Sequence, residues 1–257
     1  MWTHPPAGAT LLAVLAWLGA AGCTEAPGDA ALTVFVASSL TDVTADLADE
    51  WTLTSGVGVE LVAGGSNHLA AQVRDGAPAD VFLTADAELL DDLQHRLLAN
   101  PVTDQMTDRV AGRVPTVIHN LAINHLVVAR PTAGPERRPA DLRDPSVVLV
   151  ACATGVPCGD AAAARFGDLP VDSFEPSARA VVARLALDEA DLGIVYATDV
   201  AAHTGLAPAW PQEPTCPCVT YAAASLSPSG NPFVAFLTSD RARQILTEHG
   251  FVAEPPR

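Results

Sequence analysis

The sequence predicts an α/β protein in two lobes joined by a hinge, with mostly parallel sheets. Three observations carry that reading. Six short apolar runs are continuous in polarity rather than alternating, as strands covered on both faces are. Helix-period segments lie between them, and strand–helix alternation is the pattern of a parallel sheet. Two irregular stretches, residues 131–145 and 204–217, bracket a segment that carries strands and helices of its own. A chain that leaves the first lobe near Asn124 and returns near Tyr221 makes two crossings, which is a hinge over a closing cleft. The expected division is 32–123 with 221–257 for lobe 1, and 124–220 for lobe 2.

In chain order, residues 1–22 read as a signal peptide. Residues 11–22 (LLAVLAWLGAAG) are apolar and uncharged, too short to span a bilayer and of signal-peptide length. They end in Ala20-Ala21-Gly22-Cys23, which resembles the lipobox of bacterial lipoproteins, cut before a cysteine that becomes diacylated. The leader lacks Lys and Arg, and Ala20 stands where leucine is commoner. On this resemblance Cys23 carries the lipid and residues 23–31 are a tether; a plain cleaved signal with Cys23 as an odd thiol is the alternative. Either way the protein is exported, held to the outer face of the cytoplasmic membrane by the lipid alone or free in the periplasm.

Strand 32–37 runs into Ser38-Ser39, after which Leu40, Val43, Leu47 and Trp51 fall on one helical face and Gly56 ends the helix. Strand 57–62 runs into Gly64-Gly65-Ser66, and Leu69 and Val73 mark a helix stopped by Gly76 with Pro78 beyond. Further strands are expected over 81–83, 126–129, 147–151 and 192–196. A helix over 178–189 is capped at Ser177 behind Pro176 and buries Val181, Val182 and Leu185. Ser239 caps a last helix, which carries Ala242, Ile245 and Leu246 and ends at Gly250. No internal repeat is present.

The formal charge of −16, with all fourteen basic residues arginine, excludes nucleic acid, which demands basic stripes. It does not exclude a small anion, because a recessed site feels local dipoles more than distant surface charge. With Cys23 set aside, Cys152, Cys158, Cys216 and Cys218 form an even set in an oxidising compartment. A local Cys152–Cys158 bridge is the first expectation. Cys216-Pro217-Cys218 closes on itself only with strain, so cross-pairing stays open. A zinc site is the alternative, but the spacings fit no common zinc pattern.

Four turns follow strands and open helices: Ser38-Ser39, Gly65-Ser66, Pro157-Cys158-Gly159 and Ser177-Ala178. Each offers unpaired N–H groups and the positive end of a helix dipole at the carboxyl edge of a sheet. In the first two, a serine is expected to cap its helix. Tyr196 adds a phenolic donor from a strand end, and no arginine precedes the helices, although Arg179 follows Ala178. Neutral donors from two lobes suit a compact dianion.

These residues resemble the molybdate-binding solute receptors of bacterial ABC transporters over nearly the whole mature chain. The resemblance rests on Ala37-Ser38-Ser39-Leu40-Thr41, Gly65-Ser66-Asn67-His68-Leu69-Ala70, Gly76-Ala77-Pro78-Ala79-Asp80-Val81-Phe82, Val156-Pro157-Cys158-Gly159 and Gly193-Ile194-Val195-Tyr196-Ala197-Thr198-Asp199. It implies the type II periplasmic-binding-protein fold, a tetrahedral oxyanion as ligand, and a membrane permease with a cytoplasmic ATPase as partner. It assigns oxyanion contacts to Ser39 and Ser66 through their hydroxyls, to Cys158 and Ala178 through backbone N–H groups, and to Tyr196. A cysteine at 158 departs from the family's alanine, at a position where the backbone donates. The chain is expected to be a monomer without catalytic activity or cofactor, molybdenum entering only as molybdate.

Blander readings exist for each residue: Ser39 and Ser66 as ordinary caps, Tyr196 as a core tyrosine, Cys158 as half of a disulfide, Asp80 as a structural carboxylate. Tungstate, sulfate and phosphate are the rival ligands. Ser66 with His68 and an aspartate raises a serine hydrolase, but Gly-x-Ser-x-Gly is absent.

Overall fold

The computed structural model describes residues 31–99, 117–212 and 218–253. The signal peptide, Cys23 with the tether through residue 30, and Cys216 lie outside the described residues. Two sheets form the frame. The first has six strands in the order β11-β4-β10-β3-β1-β2, comprising β1 (Leu32–Ala37), β2 (Val59–Gly64), β3 (Val81–Thr84), β4 (Ile118–Asn124), β10 (Val219–Ser225) and β11 (Val252–Ala253). The second has five in the order β7-β6-β8-β5-β9, comprising β5 (Leu126–Pro131), β6 (Leu149–Cys152), β7 (Ser173–Glu175), β8 (Leu192–Tyr196) and β9 (Leu206–Pro208).

The sheets are mixed, where mostly parallel ones were expected. β1 pairs in parallel with β2 and β3, and β6 with β7 and β8. The strands that cross between sheets account for the rest. β4 ends at Asn124 and β5 begins at Leu126, so β5 starts where β8 finishes: Leu126 lies opposite Tyr196. β10 likewise starts at the cleft, and runs antiparallel to β3 and β4, which end there. A strand leaving the cleft has no other direction open to it.

Eight helices are described: α1 (Thr41–Ser55), α2 (Ser66–Arg74), α3 (Ala87–Ala99), α4 (Pro157–Phe166), α5 (Ala178–Ala186), α6 (Ala197–Ala202), α7 (Asn231–Leu237) and α8 (Asp240–Glu248). α1 turns Val43, Leu47 and Ala48 into the core and closes at Gly56, whose φ of 77° is the left-handed geometry that favours glycine. Leu47 is fully buried, which stabilises by ~1.5–3 kcal/mol over leaving it exposed. Trp51, one turn on, sets its ring against Phe233 and Phe236 of α7 at 5.6 and 5.7 Å.

Ser177 and Ser239 cap as expected, accepting from the N–H groups of Ala180 and Ala242. α5 stops at Ala186, short of the expected Glu189. The closing turn is made by Asp188 in left-handed geometry (φ 55°), with no glycine to announce it. α8 ends in a Schellman turn: Phe251 N–H bonds Leu246 C=O and Gly250 N–H bonds Thr247 C=O. That turn delivers Phe251 to the core, edge-on to Tyr221 at 5.3 Å.

Candidate functional site

The carboxyl ends of β1 and β2 each break into a helix start. After β1 comes a single 3-10 turn, Ser38–Leu40, and then α1; after β2, Gly65 is the cap position and Ser66 the first residue of α2. Neither serine caps its helix, contrary to expectation. Thr41 Oγ1 donates back to Ser38 C=O at 2.8 Å, which closes the first turn locally and releases Ser39. Ser39 Oγ accepts from the phenol of Tyr221 at 3.1 Å, and Ser66 Oγ from Ala85 N–H at 3.3 Å. A serine oxygen has one proton to give. Since both oxygens accept from the protein, both protons remain for another acceptor.

The second sheet supplies the facing wall. β6 ends at Cys152, and a disulfide ties it to Cys158 in the first turn of α4, with a Cα–Cα distance of 5.7 Å. This is the local bridge expected, and it rules out cross-pairing or zinc ligation by these two cysteines; Cys218 is also disulfide-bonded. Gly159 lets the turn pack tightly, since a Cβ there would lie 2.0 Å from Ala153 C=O. Cys158 and Ala178 stand in the first turns of α4 and α5, where no preceding helical carbonyl is available to their N–H groups. Ser177 spends its side chain on Ala180 N–H and leaves the Ala178 N–H uncovered.

Tyr196 closes β8 and caps α6 through its backbone, its N–H bonding Asp199 Oδ2 at 3.1 Å. The side chain is buried at 1% exposure. Its ring meets Tyr221 edge-on at 5.9 Å, yet its hydroxyl has no hydrogen-bond partner among the described residues. Burial first, then the neighbouring Tyr221 and Asp199, hold its phenol protonated well above the usual tyrosine range. Burial also raises Asp199, to about 6, against the opposing hydrogen bond from Tyr196 N–H and the attraction of Arg179.

Ser39, Ser66, Cys158, Ala178 and Tyr196 all line one cavity between the two sheets. Its volume is about 20 Å³, against the ~10–15 Å³ that a single water needs, so it suits one compact guest. Among the described residues none that lines it is charged. Neither Arg179 of α5 nor Asp42 of α1 lines it; the two pair with each other at 2.8 Å. Asp80 faces away, its carboxylate taken by Thr33 N–H and by the hydroxyls of Ser227 and Ser229. His68 is exposed and bonded to Gln72 at 2.8 Å, so the hydrolase reading lacks its base beside Ser66.

Sequence reasoning gave no role here to Tyr221, or to Asp199, which it quoted only as the end of a motif. The carboxylate three residues after Tyr196 was a usable signal for a helix-capping role; nothing local marks Tyr221, whose partner lies 182 residues away.

The sequence matches the family model described as bacterial extracellular solute-binding protein over residues 32–252. It is 32% identical over 246 residues to the molybdate-binding protein ModA of Mycobacterium tuberculosis, covering 90% of this chain and 87% of that protein. The ModA of Escherichia coli is 27% identical over 241 residues, covering 86% of this chain and 88% of its own length. Among solved structures, the periplasmic molybdate-binding protein of Azotobacter vinelandii superposes with a TM-score of 0.69 at 19% identity, over 88% of this chain and 100% of that one. The shared fold is the two-lobed type II periplasmic-binding-protein architecture. On this combination of extent and identity, the chain belongs to the bacterial extracellular solute-binding proteins.

Proposed function

We propose that this protein captures molybdate, and tungstate equally, outside the cytoplasm and hands it to an ABC permease driven by a cytoplasmic ATPase. One observation carries the reading: the cavity is walled by uncharged donors whose protons have no other acceptor among the described residues. Ser39 and Ser66 already accept from the protein, and Tyr196 has a buried hydroxyl without a partner. Helix starts α2, α4 and α5 point their positive ends at the same space. A fully deprotonated tetrahedral oxyanion answers every one of these groups as an acceptor. Hydrogen phosphate is disfavoured because its own proton meets no carboxylate there, and sulfate is smaller than the longer-bonded metal oxyanions. The names of the relatives point the same way.

The protein's part is binding without a chemical step. Ser39 and Ser66 belong to lobe 1 (32–123 and 221–257) and Cys158, Ala178 and Tyr196 to lobe 2 (124–220), so all five are satisfied only when the lobes are shut, and the guest selects the closed state. A lipid on Cys23 would keep the receptor, as a monomer, near its permease. Calorimetric titration with molybdate, tungstate, sulfate and phosphate tests the assignment; heat from neither metal oxyanion would reject it. Ser39→Ala and Ser66→Ala are each expected to cost about 1.5–3 kcal/mol of molybdate affinity, as for a hydrogen bond to a charged group. Wild-type affinity in both would remove the serines from the site.

A further inference from the structure

We propose that Tyr221 is a positioning and specificity residue of the oxyanion cleft: by donating to Ser39 it turns the serine's proton toward the guest, and so selects oxyanions that carry no proton of their own. The proposal rests on the reading of Ser39 as a ligand contact and extends it to a residue that never touches the guest. Tyr221 does not line the cavity. It is fully buried on β10, at a step where the pairing with β4 slips: Tyr221 lies opposite Ala122, and the next residue opposite Asn120. An irregularity of that kind re-aims a side chain. The ring is held edge-on by Phe251 on one side and Tyr196 on the other, at 5.3 and 5.9 Å.

The polarity of the hydrogen bond is the point. The phenol is the donor, its proton directed at Ser39 Oγ 3.1 Å away, while the Asn124 amide gives its own hydrogen bond to Thr198 Oγ1 at 2.8 Å. Burial keeps that proton in place, holding the phenol well above its ordinary ionisation. A serine oxygen that accepts from Tyr221 cannot donate to it. The orientation in which Ser39 would turn its proton inward, and show the cleft a lone pair, is therefore blocked. A dianion finds a donor at this position. A guest that must give away a proton finds no acceptor, and pays for the mismatch as an unmade buried hydrogen bond.

Tyr221→Phe keeps the ring and removes the hydroxyl. Calorimetry at pH 7 with molybdate, sulfate and inorganic phosphate then separates size from protonation, because sulfate carries no proton and phosphate does. Molybdate affinity is expected to fall about 3–10-fold, and the phosphate-to-sulfate affinity ratio to rise about 5-fold or more. In a Ser39→Ala background the same substitution should change either quantity by less than ~2-fold, since a residue acting through Ser39 has nothing left to act on. An NMR cross-peak between a slowly exchanging Tyr221 hydroxyl proton and Ser39 in the wild-type chain gives an independent readout that needs no variant. Unchanged affinity and ratio in Tyr221→Phe, an undiminished effect without Ser39, or absence of the cross-peak would each overturn the proposal while leaving molybdate capture intact. A wild-type chain that ignores molybdate would overturn the functional reading itself.

Discussion

Tyr196 holds a polar group in a place that is costly until a guest arrives. A buried hydroxyl without a partner destabilises by ~1–3 kcal/mol, and Tyr196 Oη is such a group among the described residues. Tyr196→Phe removes that cost and keeps the edge-on packing against Tyr221. The free protein is expected to gain about 1 kcal/mol in a urea melt, while molybdate binding weakens roughly 10-fold or more for loss of a charge-assisted hydrogen bond. If stability and affinity both stay put, the hydroxyl does not face the guest. The contrast with Ser39 and Ser66 is physical: their oxygens accept from Tyr221 and Ala85, so Ser→Ala strands a partner as well as removing a ligand contact. These site residues were legible because strand, small turn and helix start are adjacent in the chain, so their joint meaning is local. Tyr221 was not, because its role needs a pairing slip on β10 and a contact across 182 positions.

At the scale of elements, the legible ones are those with their own punctuation. α1 ends on Gly56, α8 on Gly250, and α5 begins behind a capping Ser177. β10 reads poorly because its Val-Thr-Tyr-Ala-Ala-Ala-Ser composition is rich in alanine, which has little strand preference; burial between β3 and β4 makes it a strand. The end of α5 was misjudged for the same kind of reason, an aspartate doing what glycine usually does. α6 begins one residue after Tyr196, and Asp199 in its first turn sets a pH dependence. Its folded value of about 6 lies above the ~3.9 of an exposed aspartate. Below about pH 3 the group is protonated whether folded or not and costs nothing. As pH rises to 6 the unfolded chain ionises first, so stability falls, and above that the full penalty of roughly 2–3 kcal/mol persists. Asp199→Asn retains an acceptor for Tyr196 N–H and removes the charge. Urea melts should show the variant more stable than wild type by ~1–2 kcal/mol at pH 7.5 and equal to it at about pH 3. A variant less stable at both would mean that the carboxylate's hydrogen bond outweighs its burial.

Across the whole molecule two electrostatic effects oppose one another, and salt separates them. The chain carries a formal charge of −16, so a dianion approaching from solution is repelled at long range, although no charged residue among those described lines the proposed cavity. Screening that repulsion should raise the association rate as ionic strength goes from 20 to 200 mM, over which the Debye length shrinks from roughly 20 to 7 Å. On the proposed closure, by contrast, Arg179 and Asp42, half-exposed and 2.8 Å apart, would bridge the two lobes. An exposed pair of this kind contributes ~1 kcal/mol at most and is weakened by salt, so dissociation should quicken over the same range, by about 2–5-fold. Arg179→Gln separates the two effects. It should raise dissociation at low salt to near the high-salt wild-type rate and flatten its salt dependence, while association still accelerates with salt. Stopped-flow mixing with molybdate, followed by intrinsic tyrosine and tryptophan fluorescence, reads both rates. Association that slows with salt would show that Arg179 and the helix ends, rather than net charge, dominate the field at the cleft; dissociation indifferent to both salt and Arg179→Gln would show that the pair bridges the lobes without holding them.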